Sequence, residues 1–132
     1  KIVSGGELSR IMLAIKAILA DKDQIDTLIF DEIDTGISGR TAQKVSEKMA
    51  VIGQHRQVLC ITHLPQIAAM ADSHYFIRKQ TDQKNTQTMI RKLNESESLK
   101  EISRMISGDQ WSETSMEHAK EMKSLADETK LY

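Results

Sequence analysis

The chain has 132 residues, of which 39% are apolar and 28% are charged, and its formal net charge is −1 at pH 7. This length allows one domain with a modest core, and the balanced charge gives no electrostatic reason for tight nucleic-acid binding, which needs clustered lysines and arginines. A single cysteine excludes a disulfide within the chain, and the lack of a long apolar run predicts a cytoplasmic protein without a membrane segment.

Three helices are predicted in the first half of the chain. Apolar residues at helical spacing predict the first helix over 7–20. A second helix is predicted over 38–52 with Gly53 as its C-cap, and a third over 65–71 begins at Pro65, because proline is favoured in the first turn. The predicted apolar face of the first helix consists of Leu8, Ile11, Met12, Ile15 and Leu19.

Two short apolar runs, 26–31 and 57–62, separate these helices. Such runs predict buried strands, as in a parallel sheet covered by helices. Cys60 lies in the second run and is expected to be a small core residue. The alternation of strands and helices therefore predicts an α/β fold with a mostly parallel sheet flanked by helices.

The second half of the chain predicts a hairpin followed by helices. Strands are predicted over 75–79 and 86–93 around a polar turn, and the second strand is expected to be half exposed because polar and apolar residues alternate along it. Two helices are predicted over 98–106 and 112–128, with apolar sides that serve as packing faces. Trp111 between them is expected to anchor the core; the alternative is a contact with parts outside this sequence.

Asp31 and Glu32 end the first predicted strand. Open α/β folds bind ligands at the carboxyl ends of their strands, so both carboxylates are expected at such an edge. In phosphoryl transfer Asp31 could hold Mg²⁺ while Glu32 polarises the attacking water. Neighbours on a strand point to opposite faces, which suits two separate roles. Taken alone, the pair also fits a strand end that merely meets solvent.

Ser4, Gly5, Gly6 and Glu7 stand at the start of the first predicted helix. Two glycines let the backbone approach a phosphate closely, and a helix start supplies unpaired N–H groups and a positive dipole. The Ser4 hydroxyl adds one more donor. The same residues also fit an ordinary helix start, because serine is a common N-cap.

His63 follows the second predicted strand and should lie near Asp31 and Glu32 if the two strands are neighbours. An imidazole there could hydrogen-bond a γ-phosphate or the attacking water and sense the terminal phosphate. A single loop histidine can also be structural. The other histidines and Cys60 show no metal-ligand spacing.

The order of these motifs resembles the back half of an ATP-binding-cassette ATPase. Residues 4–7 match that family's signature motif and residues 28–32 match its Walker B strand. Asp34 matches the D-loop aspartate and His63 the switch histidine. The sequence contains no Gly-x-x-x-x-Gly-Lys-Ser/Thr phosphate loop.

A narrower resemblance is to the C-terminal part of the RecN family, bacterial DNA repair proteins related to the SMC proteins. It is carried by the stretches 4–10, 30–39 and 62–68. The resemblance implies that residues 1–132 are a single-domain fragment, the C-terminal lobe of a P-loop ATPase head of the ATP-binding-cassette type. The phosphate loop and coiled-coil arm would lie elsewhere, and the fragment by itself is expected to be inactive.

For the site of its own head, the resemblance implies hydrolysis of ATP with Mg²⁺ in the full-length protein. Asp31 would be the metal ligand, and Glu32 and His63 would be the catalytic residues. The partners implied are the missing N-terminal half of the head, a second copy of the head in a homodimer, and DNA bound through the full-length protein in the nucleoid.

For the second site, the resemblance implies that ATP is sandwiched between two heads. Ser4, Gly5, Gly6 and Glu7 would contact a nucleotide held mainly by the partner head. Asp34 would lie at the seam between the heads and couple the two sites. These residues would therefore act on a nucleotide that the chain does not itself hold.

Two alternatives stay open on the sequence. The chain could be a head fragment of another ATP-binding cassette, either SMC-like or from a transporter. It could also be a non-catalytic interaction module, for which a missing phosphate loop would be natural. Two acids and a histidine at one sheet edge argue against the second alternative, because a scaffold has no physical need for them.

Overall fold

The computed structural model describes residues 2, 4–19, 22, 24–82, 85–108, 110 and 112–131. These residues form an α/β structure, which confirms the predicted class. The chain order of their helices and strands is α1 (Gly5–Ile18), β1 (Thr27–Phe30), α2 (Gly39–Gly53), β2 (Gln57–Cys60), α3 (Pro65–Met70), β3 (Tyr75–Asp82), β4 (Asn85–Lys92), α4 (Glu95–Ser107) and α5 (Glu113–Lys130).

Strands β1 and β2 are parallel neighbours, paired from Thr27↔Gln57 to Phe30↔Cys60. The Ile61 amide donates to the Phe30 carbonyl at 3.1 Å, which extends the ladder just past β2. Both strands therefore end at the same edge. Among the described residues this sheet has two strands, so the larger, mostly parallel sheet stays a prediction.

The main core lies against one face of this sheet. Leu28 and Phe30 are buried there with Leu13 of α1, and Val58 and Cys60 pack against the same cluster. On the other face Ile29 is 69% exposed, and Leu59 and Ile61 are exposed as well. The prediction of buried strands is therefore wrong for this face. Side chains alternate across a strand, and α1 and α2 both contribute to the cluster on the first face only.

Helix α1 begins two residues earlier than predicted and exposes the face predicted to be apolar. Its five predicted face residues, from Leu8 to Leu19, are between 41% and 58% exposed. Leu13, outside that set, is the large apolar residue that reaches the core. The apolar spacing thus gives a helix whose apolar face is largely uncovered within the described residues.

Helix α2 packs its mostly apolar side on the sheet and continues through Gly53. The C-cap is Gln54, with φ −64°, so the prediction of Gly53 as C-cap is wrong. The Gln54 amide still bonds to Ala50 and the His55 and Arg56 amides bond to Ile52. The helix therefore ends in right-handed turns that need no glycine. The buried residues of α2 are Ala42, Val45, Ser46, Met49 and Ile52.

The second half forms the predicted hairpin and two helices. Strands β3 and β4 pair antiparallel from Tyr75↔Lys92 to Asp82↔Asn85, so both reach further into the predicted turn than expected. Strand β4 was expected to be half exposed, but Met89 and Ile90 on opposite faces are both exposed. Near the end of β4, Arg91 bonds to Glu97 of α4 at 2.6 Å, whereas Met89 and Ile90 stay exposed.

Helices α4 and α5 pack on α3 and form a second cluster. Ala68, Ala69, Ile102 and Ala119 are its buried members, which confirms packing faces on both helices. The prediction for Trp111 lies outside the described residues. None of the helices in the described ranges combines the length and apolar character needed to cross a membrane.

Candidate functional site at the carboxyl edge of the parallel strands

The structure brings the predicted acids and the predicted histidine to one edge of the sheet. Asp31 and Glu32 follow β1 directly, and His63 stands three residues after the end of β2. Because β1 and β2 are parallel neighbours, both loops emerge on the same side. Asp31 and Glu32 are exposed, and the His63 side chain is 71% exposed. The three side chains are therefore accessible to a ligand at this edge.

The start of α1 lies against the loop formed by residues 31–35. A Cβ placed on Gly6 would stand 2.8 Å from the Glu32 carbonyl oxygen and 2.9 Å from that of Thr35. A Cβ on Gly5 would stand 2.5 Å from Oε2 of Glu32. The two glycines therefore permit a close approach between the helix start and the acidic loop, which no side chain would allow without a shift.

Ser4 and Glu7 form a capping box at the same helix start. The Glu7 amide donates to the Ser4 hydroxyl oxygen at 3.2 Å, and the Ser4 amide donates to the Glu7 carboxylate at 3.2 Å. This is the ordinary helix start that the sequence had left open. The Ser4 hydroxyl hydrogen remains able to donate to a ligand, since the cap uses the oxygen as an acceptor.

Two further residues of α1, Ser9 and Arg10, hold the acidic loop from the helix side. The Ser9 hydroxyl donates to the Asp31 carbonyl at 3.0 Å. One guanidinium nitrogen of Arg10 donates to the carbonyls of Ile33, at 3.0 Å, and Thr35, at 2.9 Å. Sequence reasoning assigned no role to either residue. Both stand inside the stretch 4–10 that carries the resemblance, which was the available signal.

Asp34 is a buried carboxylate that holds the histidine loop. Its Oδ2 accepts from the Thr62 hydroxyl at 2.6 Å, from the His63 amide at 2.8 Å and lies 2.9 Å from Nδ1 of His63. Its side chain is 5% exposed. The Asp34 side chain therefore points towards His63 of the same chain. Thr62, which sequence reasoning also passed over, completes the link by accepting from the Leu64 amide at 3.0 Å.

The electrostatics of this edge favour a charged Asp34. Burial by itself raises the pKa of the Asp34 carboxyl, but hydrogen bonds from Thr62 and His63, with the charge of His63, outweigh it and bring the pKa below its usual value. Burial also raises the pKa of the nearby Cys60 thiol to about 12, with smaller contributions from the carboxylates of Asp34 and Asp31. Cys60 is therefore an inert thiol packed on the core, not a ligand.

Glu32 has a left-handed backbone with φ 58°, the one non-glycine residue with positive φ in the described ranges. Such a conformation is unfavourable for a side chain with a Cβ and is found disproportionately at functional sites. The residue opens a turn that is closed by a hydrogen bond from the Thr35 amide to the Glu32 carbonyl at 3.1 Å. The strained residue is the one predicted to be the general base.

The acids at this edge suit a magnesium ion whose remaining ligands are water and phosphate. Within the described ranges no group of three or more His, Cys, Asp or Glu side chains is arranged to hold a metal. Mg²⁺ commonly binds through one or two carboxylates, with water and substrate phosphates completing the shell. The exposed carboxylate of Asp31 meets that requirement, because it offers hard oxygen ligands at an open edge.

Comparison with curated proteins shows what the chain is similar to. The chain is 48% identical over 130 residues to the DNA repair protein RecN of Bacillus subtilis, covering 98% of the chain and 23% of that protein. It is 50% identical over 126 residues to RecN of Halalkalibacterium halodurans, covering 96% and 22%, and 48% identical over 122 residues to RecN of Treponema pallidum, covering 92% and 21%.

The chain matches a segment of RecN. This confirms the narrower of the two resemblances, and the chain spans somewhat more than a fifth of the length of the RecN proteins it matches. No protein-family model matches the chain. The activity and partners of the whole protein are therefore matters for proposal.

Proposed function

We propose that the chain is the C-terminal lobe of an ATP-binding-cassette ATPase head in a RecN-like protein of DNA double-strand break repair and recombination. One observation carries the proposal. Glu32, Asp31 and His63 lie at one edge of two parallel strands, beside a helix start whose glycines approach the acidic loop closely. That is the location at which α/β folds bind nucleotides.

In the proposed mechanism the chain's own residues act on the nucleotide of their own head. Glu32 accepts a proton from the attacking water, and its exposed carboxylate is free to approach one. Nδ1 of His63 donates to Asp34, so its Nε2 accepts a hydrogen bond from the attacking water, or donates one to the γ-phosphate when both ring nitrogens are protonated. Asp31 binds Mg²⁺, which when present neutralises developing phosphate charge.

The start of α1 would serve a second head. Ser4, Gly5 and Gly6 present a hydroxyl and backbone amides at a helix N-terminus, where an anion is stabilised. Glu7 holds Ser4 in place through the capping box. We propose that this end meets the γ-phosphate of a nucleotide carried by a second copy of the head, which completes both sites when the heads dimerise.

The exposed apolar surfaces support a missing partner lobe. Helix α1 exposes its predicted apolar face, and the sheet exposes Ile29, Leu59 and Ile61. These side chains are already about half covered, so covering the remainder contributes roughly 1 kcal/mol each. We propose that the N-terminal half of the same head, with the phosphate loop, covers these surfaces. The RecN proteins matched are several times longer than the chain, so there is ample length for such a lobe.

DNA binding and location in the cell are properties of the full-length protein that contains this lobe. The relatives are named DNA repair proteins, which supports DNA as a partner of the full-length protein. With a net charge of −1, this lobe has little attraction for the phosphate backbone. We therefore propose that other parts of the full-length protein contact DNA, and that this protein works in the cytoplasm at the nucleoid. This lobe would contribute to its ATPase cycle.

The test is ATP turnover by the full-length protein, with Glu32→Gln as the decisive variant. We expect turnover to fall at least about a hundredfold in Glu32→Gln while ATP-driven dimerisation persists, because the amide cannot accept the water's proton. Lys48→Gln on the exposed side of α2 is the matched control and should keep the wild-type rate. Turnover by Glu32→Gln at the wild-type rate would contradict the proposed base.

A second arm tests the interaction-module alternative, which the exposed apolar surface favours. The 132-residue chain is mixed with the phosphate-loop half of the parent, and association is measured with and without ATP and Mg²⁺. Association together with turnover in the mixture supports a split ATPase head. Tight association without turnover, in a mixture that is correctly folded, supports a non-catalytic module.

A further inference from the structure

The acidic loop 31–35 is held from two sides. On one side, the Arg10 guanidinium of α1 bridges the carbonyls of Ile33 and Thr35 at 3.0 and 2.9 Å. On the other side, Asp34, which lies between these two carbonyls in the chain, holds the His63 amide and ring. The backbone of the loop therefore joins the hydrogen bonds from Arg10 of α1 to the hydrogen bonds between Asp34 and His63.

We propose that Arg10 is a positioning residue of the ATPase site. It ties α1 to loop 31–35, so that the placement of Glu32 and, through Asp34, of His63 depends on the helix that Ser4 caps. This inference rests on the proposed function and deepens it by assigning the residue that transmits the state of the helix start to the catalytic groups. Arg10 acts through the loop backbone and touches no reacting atom.

The geometry favours a positioning role over general stabilisation. Both bonds come from one terminal nitrogen, so a displacement of Arg10 breaks them together. The bonded carbonyls flank Asp34, and one of them belongs to the residue directly after Glu32, whose backbone is strained at φ 58°. A strained residue persists only where its surroundings over-determine it. Removing Arg10 would leave the Glu32 backbone free to relax.

The inference has a consequence for the two proposed sites. The N-terminus of α1 would bind the phosphate of a nucleotide on a second head, while Glu32 and His63 act on their own nucleotide. Because Gly6 and Arg10 both contact the loop, the helix start and the loop move as one unit. Binding of the second head's nucleotide at the helix start would then reorient Glu32, so that the two sites hydrolyse ATP together.

The experiment compares Arg10→Gln, Arg10→Lys and the control Arg78→Gln in the full-length protein. Arg78 lies exposed on β3, far along the chain from the site. We expect kcat to fall about tenfold to a hundredfold in Arg10→Gln, as for a small misplacement of catalytic groups. KM should stay within about twofold because nucleotide contacts are unchanged. ATP-driven dimerisation, measured with the Arg10 variants in a Glu32→Gln background so that ATP is not consumed, should also stay within about twofold.

Arg10→Lys tests the mechanism and guards against misfolding. An ammonium also donates to two carbonyls, so this variant should recover part of the lost kcat. Wild-type kcat in Arg10→Gln, or a parallel loss of kcat, dimerisation and thermal stability that lysine does not relieve, would overturn the inference. No turnover by the wild-type protein would instead overturn the proposed function, and the positioning role would fall with it.

Discussion

Gly6→Ala tests the close approach between α1 and the acidic loop. The added Cβ would lie 2.8 Å and 2.9 Å from two backbone carbonyl oxygens and 3.0 Å from the Arg10 nitrogen, whereas ordinary contact begins at 3.4 Å. Backbone on one side must therefore retreat by roughly half an ångström, which costs about 3 kcal/mol in a packed contact. Alanine regains about 1 kcal/mol of helix propensity. We expect a net loss of about 2 kcal/mol in the free energy of unfolding.

Gly5→Ala is the matched control at the next position. Its Cβ would meet Oε2 of Glu32 at 2.5 Å, but the next atom of that side chain is 3.7 Å away and the carboxylate can rotate. The free energy of unfolding should therefore stay level or rise by up to about 1 kcal/mol from helix propensity. Since Glu32 must move aside, turnover in the full-length protein should fall by roughly tenfold.

The assay is urea unfolding of the 132-residue chain followed by circular dichroism, with turnover measured on the full-length variants. The two glycines are neighbours on one helix, so both alanine substitutions change solvent exposure and helix propensity in the same way. The difference between their free energies of unfolding therefore measures the backbone contact at Gly6. Equal unfolding free energies for the two alanine variants would refute the close approach at Gly6. A fully active Gly5→Ala protein would refute the placement of the Glu32 side chain.

Three further predictions concern single residues of the site. Asp34→Ala should lower the free energy of unfolding by about 2 kcal/mol at pH 7, because the Thr62 hydroxyl and the His63 amide, whose bonds to Asp34 are partly buried, lose their acceptor. The pKa of Asp34 is lowered in the folded chain, so this difference is present above the usual value of 3.8 and shrinks as pH falls below it. A pH-independent difference would contradict the assignment. Glu32→Gly should be about 1 kcal/mol more stable than Glu32→Ala, since only glycine adopts φ 58° without strain, and equal stabilities would show an unstrained backbone. Cys60, with its pKa raised to about 12, should resist alkylation by iodoacetamide at pH 7 until urea unfolds the chain; rapid labelling of the folded chain would place the thiol at the surface.

The sequence predicted the site more fully than it predicted the packing. Asp31, Glu32 and His63 follow apolar runs, and a parallel pair of strands necessarily brings such residues to one edge. Ser9, Arg10 and Thr62 were missed because each works through backbone carbonyls or a neighbouring carboxylate. Hydrogen bonds between residues more than 20 positions apart leave no periodic signal in a single sequence.

The errors in packing share one physical cause. Helical and strand spacing shows which residues are apolar, and burial was inferred from that pattern. Whether an apolar face is covered depends on a second element, and within the described residues none covers Ile29 or Leu59 of the strands predicted to be buried. The predicted C-cap at Gly53 failed for a related reason, since the turn after α2 continues in right-handed geometry and makes no use of glycine's freedom.

By itself, the amino-acid sequence determined the class of fold, the order of the motifs and the resemblance to RecN, because these depend on residue types and their spacing along the chain. Only the tertiary structure decided that Asp34 faces its own chain's histidine and that Arg10 ties α1 to the acidic loop. Such contacts join distant segments through directional hydrogen bonds, which exist only once the strands have paired and the helix has packed.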